Sequence, residues 1–163
     1  MTIDMEEMED SIFYEKNPFR DSQKSRVYKW EDENVSQFDK KIIHIETVPY
    51  VIDYVWANEG LLYPPKVVYM RSNNTSAWAK ADRYNVHVHP ENSIPTWVLL
   101  HELSHSLTFN YDSSTDAAHG ADFLGMYMRL LNKYVNIEFP YLFYTASKYK
   151  LKYNIHARPF FVD

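Results

Sequence analysis

Apolar positions recur along this chain with two different periods, and the places where the period changes mark its elements. Val48, Val51, Ile52, Val55 and Trp56 fall at i, i+3, i+4, i+7 and i+8, one helical stripe with Thr47 placed to cap it, Pro49 in its first turn and Gly60 at its end. Upstream, Pro18 is suited to open a more charged helix over residues 18 to 33 that carries Phe19, Val27 and Trp30. The period then falls to two. Lys66 to Met70 follows a pair of prolines and reads as a strand, and Ser72 to Ser76 is turn chemistry. From Arg83 to His89, the residues Tyr84, Val86 and Val88 alternate with Asn85, His87 and His89, and a small antiparallel sheet is expected.

The helical period returns where Asn92 or Ser93 can cap a helix with Pro95 in its first turn and Trp97, Leu100, Leu103 and Leu107 on its buried stripe. A polar loop, Asn110 to Ala118, leads to His119 and Gly120. Beyond it Phe123, Met126, Tyr127, Leu130, Leu131 and Tyr134 give the strongest helical period in the chain, and a last aromatic helix is expected over Tyr141 to Tyr149. No internal repeat and no Gly/Ser- or Pro-rich linker interrupts this order. The pattern predicts one α+β domain over residues 17 to 163, preceded by an arm of residues 1 to 16.

Composition narrows the possible chemistry. The 163 residues are 45% hydrophobic and 17% aromatic, enough to build one core and too apolar for a disordered chain. The absence of cysteine removes a disulfide framework, a Cys-rich zinc ribbon and a thiol nucleophile together, so any metal must be held by His, Asp or Glu. No stretch approaches the roughly 18 consecutive apolar residues of a membrane span. The opening MTIDMEEMEDS is acidic where a signal peptide is basic and then apolar, so a cytoplasmic location is expected. The net charge of -5 sits in the first residues, where Asp4, Glu6, Glu7, Glu9, Asp10 and Glu15 meet no base; a solvated, disordered tail is expected there. Residues 129 to 158 hold Arg129, Lys133, Lys148, Lys150, Lys152 and Arg158 against Glu138 alone. The Lys148-x-Lys150-x-Lys152 run with Tyr149 and Tyr153 interleaves bases and aromatics as nucleic-acid surfaces do. Bases spread so thinly make at most a weak, salt-sensitive patch, and a solvated helix face is the expected reading.

The candidate chemistry lies in the helix after Ser93. His101-Glu102-Leu103-Ser104-His105 reads H-E-x-x-H, and a helix places residues four apart on one face ~6 Å apart, so two imidazoles can share one Zn²⁺. Glu102 lies next to that face, within reach of a water on the metal, while Leu103 joins Leu100 and Leu107 on the buried stripe. The expected reaction is metal-assisted hydrolysis: zinc lowers the pKa of its water towards ~7, and Glu102 takes the proton and later protonates the leaving amine. A third protein ligand is required, and His119, Asp112, Asp116, Asp122 and, more remotely, Glu138 are available. Gly120 allows a tight turn that could bring His119 back to the helix. Asp122 suits the dipole of the following helix, or else orients a ligating His from behind. His87 and His89, at i and i+2 of one strand, are expected to be structural or surface residues. A closed structural zinc with a fourth side-chain ligand would instead make the chain a binding module and leave Glu102 without a use.

Family patterns narrow the choice further. The metzincin form H-E-x-x-H-x-x-G-x-x-H is not met, since Thr108 stands at the glycine position and Tyr111 at the third histidine. A peptide-deformylase arrangement needs a cysteine. The segment HELSHSLTFNYDSSTDAAHGADF instead resembles the SprT-like metalloprotease domain, in which H-E-x-x-H is followed by H-G-x-[DE]-F at the start of the next helix. The likeness spans residues 97 to 131. It implies a zincin-like fold, a small antiparallel sheet packed against the active-site helix with further helices on either side. It also implies His101, His105 and His119 as zinc ligands and Glu102 as catalytic base. The substrate would be a peptide or protein whose extended backbone pairs with the sheet edge beside that helix. The overall length and the opening Arg20-Asp21-x-Gln23-x-x-x-Val27-Tyr28 are similar to short metallohydrolases of bacteria and their phages. SprT-like DNA-repair proteases often continue into a Cys-rich ribbon or a partner-binding tail, and this chain has no cysteine for such a ribbon. A peptidase is therefore expected ahead of a nucleic-acid-associated protease.

Overall fold

The helical stripes of the sequence fold as five α-helices among the described residues, which in this computed structural model are 21–38, 41–71, 79–91, 93–109 and 118–161. They are α1 (Lys24–Trp30), α2 (Val48–Asn58), α3 (Thr96–Thr108), α4 (Ala121–Val135) and α5 (Phe139–Lys148). None is long and apolar enough to cross a membrane. α1 is shorter than residues 18 to 33, and Pro18 and Phe19 lie outside the described residues. Val27 and Trp30 are fully buried, as their stripe requires, and the Trp30 indole N–H donates to Thr145 Oγ1 at 2.9 Å. After Trp30 the backbone widens into a π-helical turn, Glu31–Val35. A π-turn rotates the residues after it around the helix axis, so the period of Val27 and Trp30 does not extend beyond Val35.

α2 follows a 3₁₀ turn, Ile45–Thr47, and this turn accounts for a difference at its start. Thr47 stands at the cap position, but its hydroxyl donates back to His44 O at 2.8 Å because the 3₁₀ turn brings that carbonyl within reach. At the other end Gly60 adopts φ 73, a left-handed conformation that suits glycine at a helix C-terminus.

The sheet is mixed, which corrects the expectation of an antiparallel one. Strands β2 (Lys66–Tyr69), β3 (Ala79–Ala81) and β4 (Asn85–Val88) lie in the order β2-β4-β3. β3 pairs antiparallel with β4, but β2 runs parallel to it, with Val67 opposite Val86. The β3–β4 hairpin is fixed locally. Asp82 Oδ1 accepts the backbone N–H groups of Tyr84 and Asn85, both at 2.9 Å, which tightens the β3–β4 turn. β3 therefore occupies one edge and leaves the other to β2. Val86 and Val88 are buried and Tyr84 is exposed, and the strand is shorter than residues 83 to 89.

A second pairing, β1 (Ile42–Ile43) with β5 (Ile94–Pro95), went unread because two residues carry no period. It also moves Pro95 out of the first turn of α3: its extended backbone (φ -61, ψ 146) belongs to β5, and the helix opens at Thr96. Ser93 precedes β5 and caps no helix, while Asn92 lies outside the described residues.

α3 is buried around almost its whole circumference, with every residue from Val98 to Ser104 inside. A helix covered on both its apolar and polar faces runs through the middle of a fold. α4 packs along it, supplying fully buried Phe123, Tyr127, Leu130 and Leu131. The last segment crosses α4 at Gly125, where a Cβ would stand 1.7 Å from Asn154 O, so only glycine permits the approach. Asn154 N–H donates to Ala121 O at 2.8 Å and fixes the crossing.

Candidate metal centre

α3 places His101 and His105 one turn apart, and the turn before α4 brings His119 to them. Their Nε2 atoms form a nearly equilateral triangle. His101 to His105 is 3.2 Å, His105 to His119 is 3.1 Å and His119 to His101 is 3.3 Å. Tetrahedral donors at ~2.0–2.1 Å from one ion stand ~3.3 Å apart, so the spacing is that of three ligands to a single metal. Among the described residues this is the one group of His, Asp or Glu that converges in this way, and His87 and His89 do not join it.

The opposite ring nitrogens show which way the imidazoles are turned. His101 Nδ1 lies 2.7 Å from Glu31 Oε2, and His119 Nδ1 lies 2.5 Å from Asp21 Oδ2. A carboxylate accepts, so each Nδ1 carries the hydrogen and each Nε2 presents its lone pair to the triangle. Converging lone pairs at such distances repel unless a cation lies among them, and the donor set therefore fits a metal ion. His105 is oriented by its place on α3 and by Phe123, whose ring stacks on it at 4.4 Å. The half-exposed ring of Tyr28 stacks on His101 at 5.9 Å and meets His119 edge-on at 5.1 Å.

The electrostatics follow the same plan. Burial, reinforced by the charges of His101 and His119, pushes the His105 pKa well down, which keeps its ring neutral at neutral pH. Burial also lowers His119, against the pull of Asp21. At His101 burial is the largest influence and acts downward, but the carboxylates of Glu31, Glu102 and Asp21 together outweigh it and the net direction is up. Glu102 is raised to about 7, chiefly by burial, with His101 lowering it and Glu31 raising it. Its Oε2 is buried and has no hydrogen-bond partner among the described residues. A buried ionisable oxygen without a protein partner is available to a bound group.

No family model matches the chain, and neither does any curated protein or solved structure.

The sequence reading placed His101, Glu102, His105 and His119 together, and the structure brings all four to one place. It did not find Asp21 or Glu31. Asp122, considered for the orienting role, instead accepts from Asn154 Nδ2 at 2.9 Å in the first turn of α4. Glu138 is exposed at the start of α5, and Asp112 and Asp116 lie outside the described residues. Gly120 is also used differently from expectation: its φ of -77 is open to any residue, and the return of His119 is fixed from outside. Asp21 Oδ1 accepts the His119 N–H at 3.0 Å, and Gln23 Nε2 donates to His119 O at 2.7 Å. The opening pattern Arg20-Asp21-x-Gln23-x-x-x-Val27-Tyr28 carried that signal: Arg20 lies outside the described residues, Asp21, Gln23 and Tyr28 touch His101 or His119, and Val27 is core.

The interleaved basic and aromatic run has its rings turned to the protein. Tyr149 bonds Glu33 and Asn34 through its hydroxyl, and Tyr153 stacks on Phe143 at 5.0 Å with an interplanar angle of 3°.

Proposed function

We propose that the chain is a zinc-dependent hydrolase that cleaves peptide bonds. The observation that carries this reading is the joint presence of three imidazole nitrogens 3.1–3.3 Å apart and, on the same helix, a buried carboxylate oxygen on Glu102 with no partner among the described residues. An all-imidazole set suits zinc, which when bound acidifies a water and polarises a carbonyl. His101, His105 and His119 would hold the ion through Nε2. Glu102, with a pKa raised to about 7, is poised to accept a proton at Oε2 near neutral pH and to return it to the leaving nitrogen.

A structural zinc would close the site with a fourth side chain, and among the described residues no further His, Asp or Glu joins the three. The order of elements supports the SprT-like resemblance: a helix, strands, the H-E-x-x-H helix, then His119 opening the next helix. β3 lies at the sheet edge and packs on α3, to which the β3–β4 turn is tied by Ser106 Oγ donating to Asp82 O at 2.7 Å. An extended peptide adding to that edge would lie along the helix that carries the site.

The test is cleavage of an unfolded protein and a mixed peptide library by the zinc-loaded chain, then after chelation, then after zinc is returned. Cleavage that disappears and comes back with zinc is expected. Cleavage that persists in the chelated protein would contradict a metal-dependent reaction.

A further inference from the structure

We propose that Asp21 and Glu31 are positioning residues of the metal centre, and that the segment between them is a latch whose docking and metal occupancy strengthen each other. The inference rests on the metal-centre reading and adds to it a part of the chain far from the H-E-x-x-H helix.

The geometry is asymmetric among the three ligands. His105 takes its orientation from α3 and Phe123, whereas His101 and His119 each have a carboxylate from residues 21–31 behind the ring. His119 depends on that segment most, because no helix hosts it. The segment holds it at three points: Asp21 takes the ring Nδ1–H and the backbone N–H, and Gln23 donates to the carbonyl. Gln23 is itself fixed by Lys152, accepting from its N–H at 3.0 Å and donating to its carbonyl at 3.1 Å.

Glu31 is buried at 2% exposure, an expensive place for a carboxylate unless it is fully bonded. It has two donors, His101 Nδ1 at 2.7 Å and the Tyr127 hydroxyl at 2.8 Å. The two buried or part-buried carboxylates also supply negative charge immediately behind the imidazoles, which balances a divalent cation in front of them. α1 in turn docks through Arg26 to the carbonyls of Tyr149 and Lys150 and through Trp30 to Thr145. A metal that binds well only when these carboxylates are in place stabilises the docked segment, and a docked segment raises metal affinity by the same factor.

The experiment measures zinc affinity by chelator competition for wild type, Asp21→Asn, Glu31→Gln and Tyr127→Phe. Backbone hydrogen exchange is followed in zinc-loaded and zinc-free wild type. Asp21→Asn and Glu31→Gln are each expected to weaken zinc binding ~10–100-fold, the usual cost of losing a partner behind a ligating His. Tyr127→Phe leaves both carboxylates in place, packs the same ring and should cost less, which keeps the test open if a carboxylate variant misfolds. Zinc is expected to slow exchange in α1 more than in α2, which carries no ligand and no partner of one. Cobalt substitution adds a readout that mere folding would not move, since the visible bands of the bound ion should shift in Glu31→Gln. Affinities equal to wild type in all three variants, or equal slowing of α1 and α2, would overturn the latch while leaving the hydrolase reading intact. A wild-type protein that binds no zinc would overturn both.

Discussion

Replacing Glu102 by Gln is expected to remove nearly all turnover while leaving the metal content of the protein unchanged. The variant keeps the size and helix propensity of the side chain and takes away only its ability to accept a proton. Positioned general bases contribute ~10²–10⁴ in rate, so peptide cleavage should fall by at least that range. Zinc should stay, because the ligand atoms are the Nε2 atoms of His101, His105 and His119. Stability should not suffer either. Oε2 of Glu102 has no hydrogen bond among the described residues for the amide to lose, and a neutral amide is cheaper to bury than a carboxylate. Paired measurements of turnover, zinc content and thermal unfolding check this. A Gln variant that cleaves as well as wild type would show that Glu102 is not the base, and one that loses its zinc would show that Glu102 helps to hold the metal.

Replacing His119 by Ala is expected to empty the site. With only two imidazoles left, both from α3, the ion loses one of three nitrogen donors, a larger loss than the ~10–100-fold that follows removal of a partner behind a ligand. After dialysis, elemental analysis should find only traces of zinc in His119→Ala. Asp112→Ala and Asp116→Ala should keep it near one per chain. Stoichiometric zinc in His119→Ala, with loss in either Asp variant, would move the third ligand to Asp112 or Asp116.

What the sequence made legible was whatever rests on local spacing. Val48 to Trp56, Trp97 to Leu107 and Phe123 to Tyr134 carry a helical period of several turns, and all three became helices. His101 and His105 are four apart on one of them, so their convergence needs nothing but the helix. The misses depend on distant parts of the chain. Glu31 lies 70 residues from His101 and Asp21 lies 98 from His119, and no periodicity relates such positions. Glu31 stands in the run Glu31-Asp32-Glu33, which reads as a solvated face, and the π-turn there gives no pattern that separates the buried residue from the exposed two. Strand direction was misjudged for a related reason. Alternation reports that Val86 and Val88 face inward, yet parallel or antiparallel pairing is set by which strand claims which edge. Thr47 and Pro95 show the limit of cap signals, since each sits where a helix begins and is used by the turn or strand before it.

The measurement that bears most directly on the three-histidine centre is a crystal structure of the zinc-loaded protein with anomalous scattering recorded at the zinc edge. One zinc per chain is expected, bound by Nε2 of His101, His105 and His119 at ~2.0–2.1 Å, with a non-protein oxygen as fourth ligand and Glu102 close by but off the metal. Zinc bound elsewhere, Glu102 ligating it, or Asp112 or Asp116 closing the fourth position would contradict the hydrolytic reading.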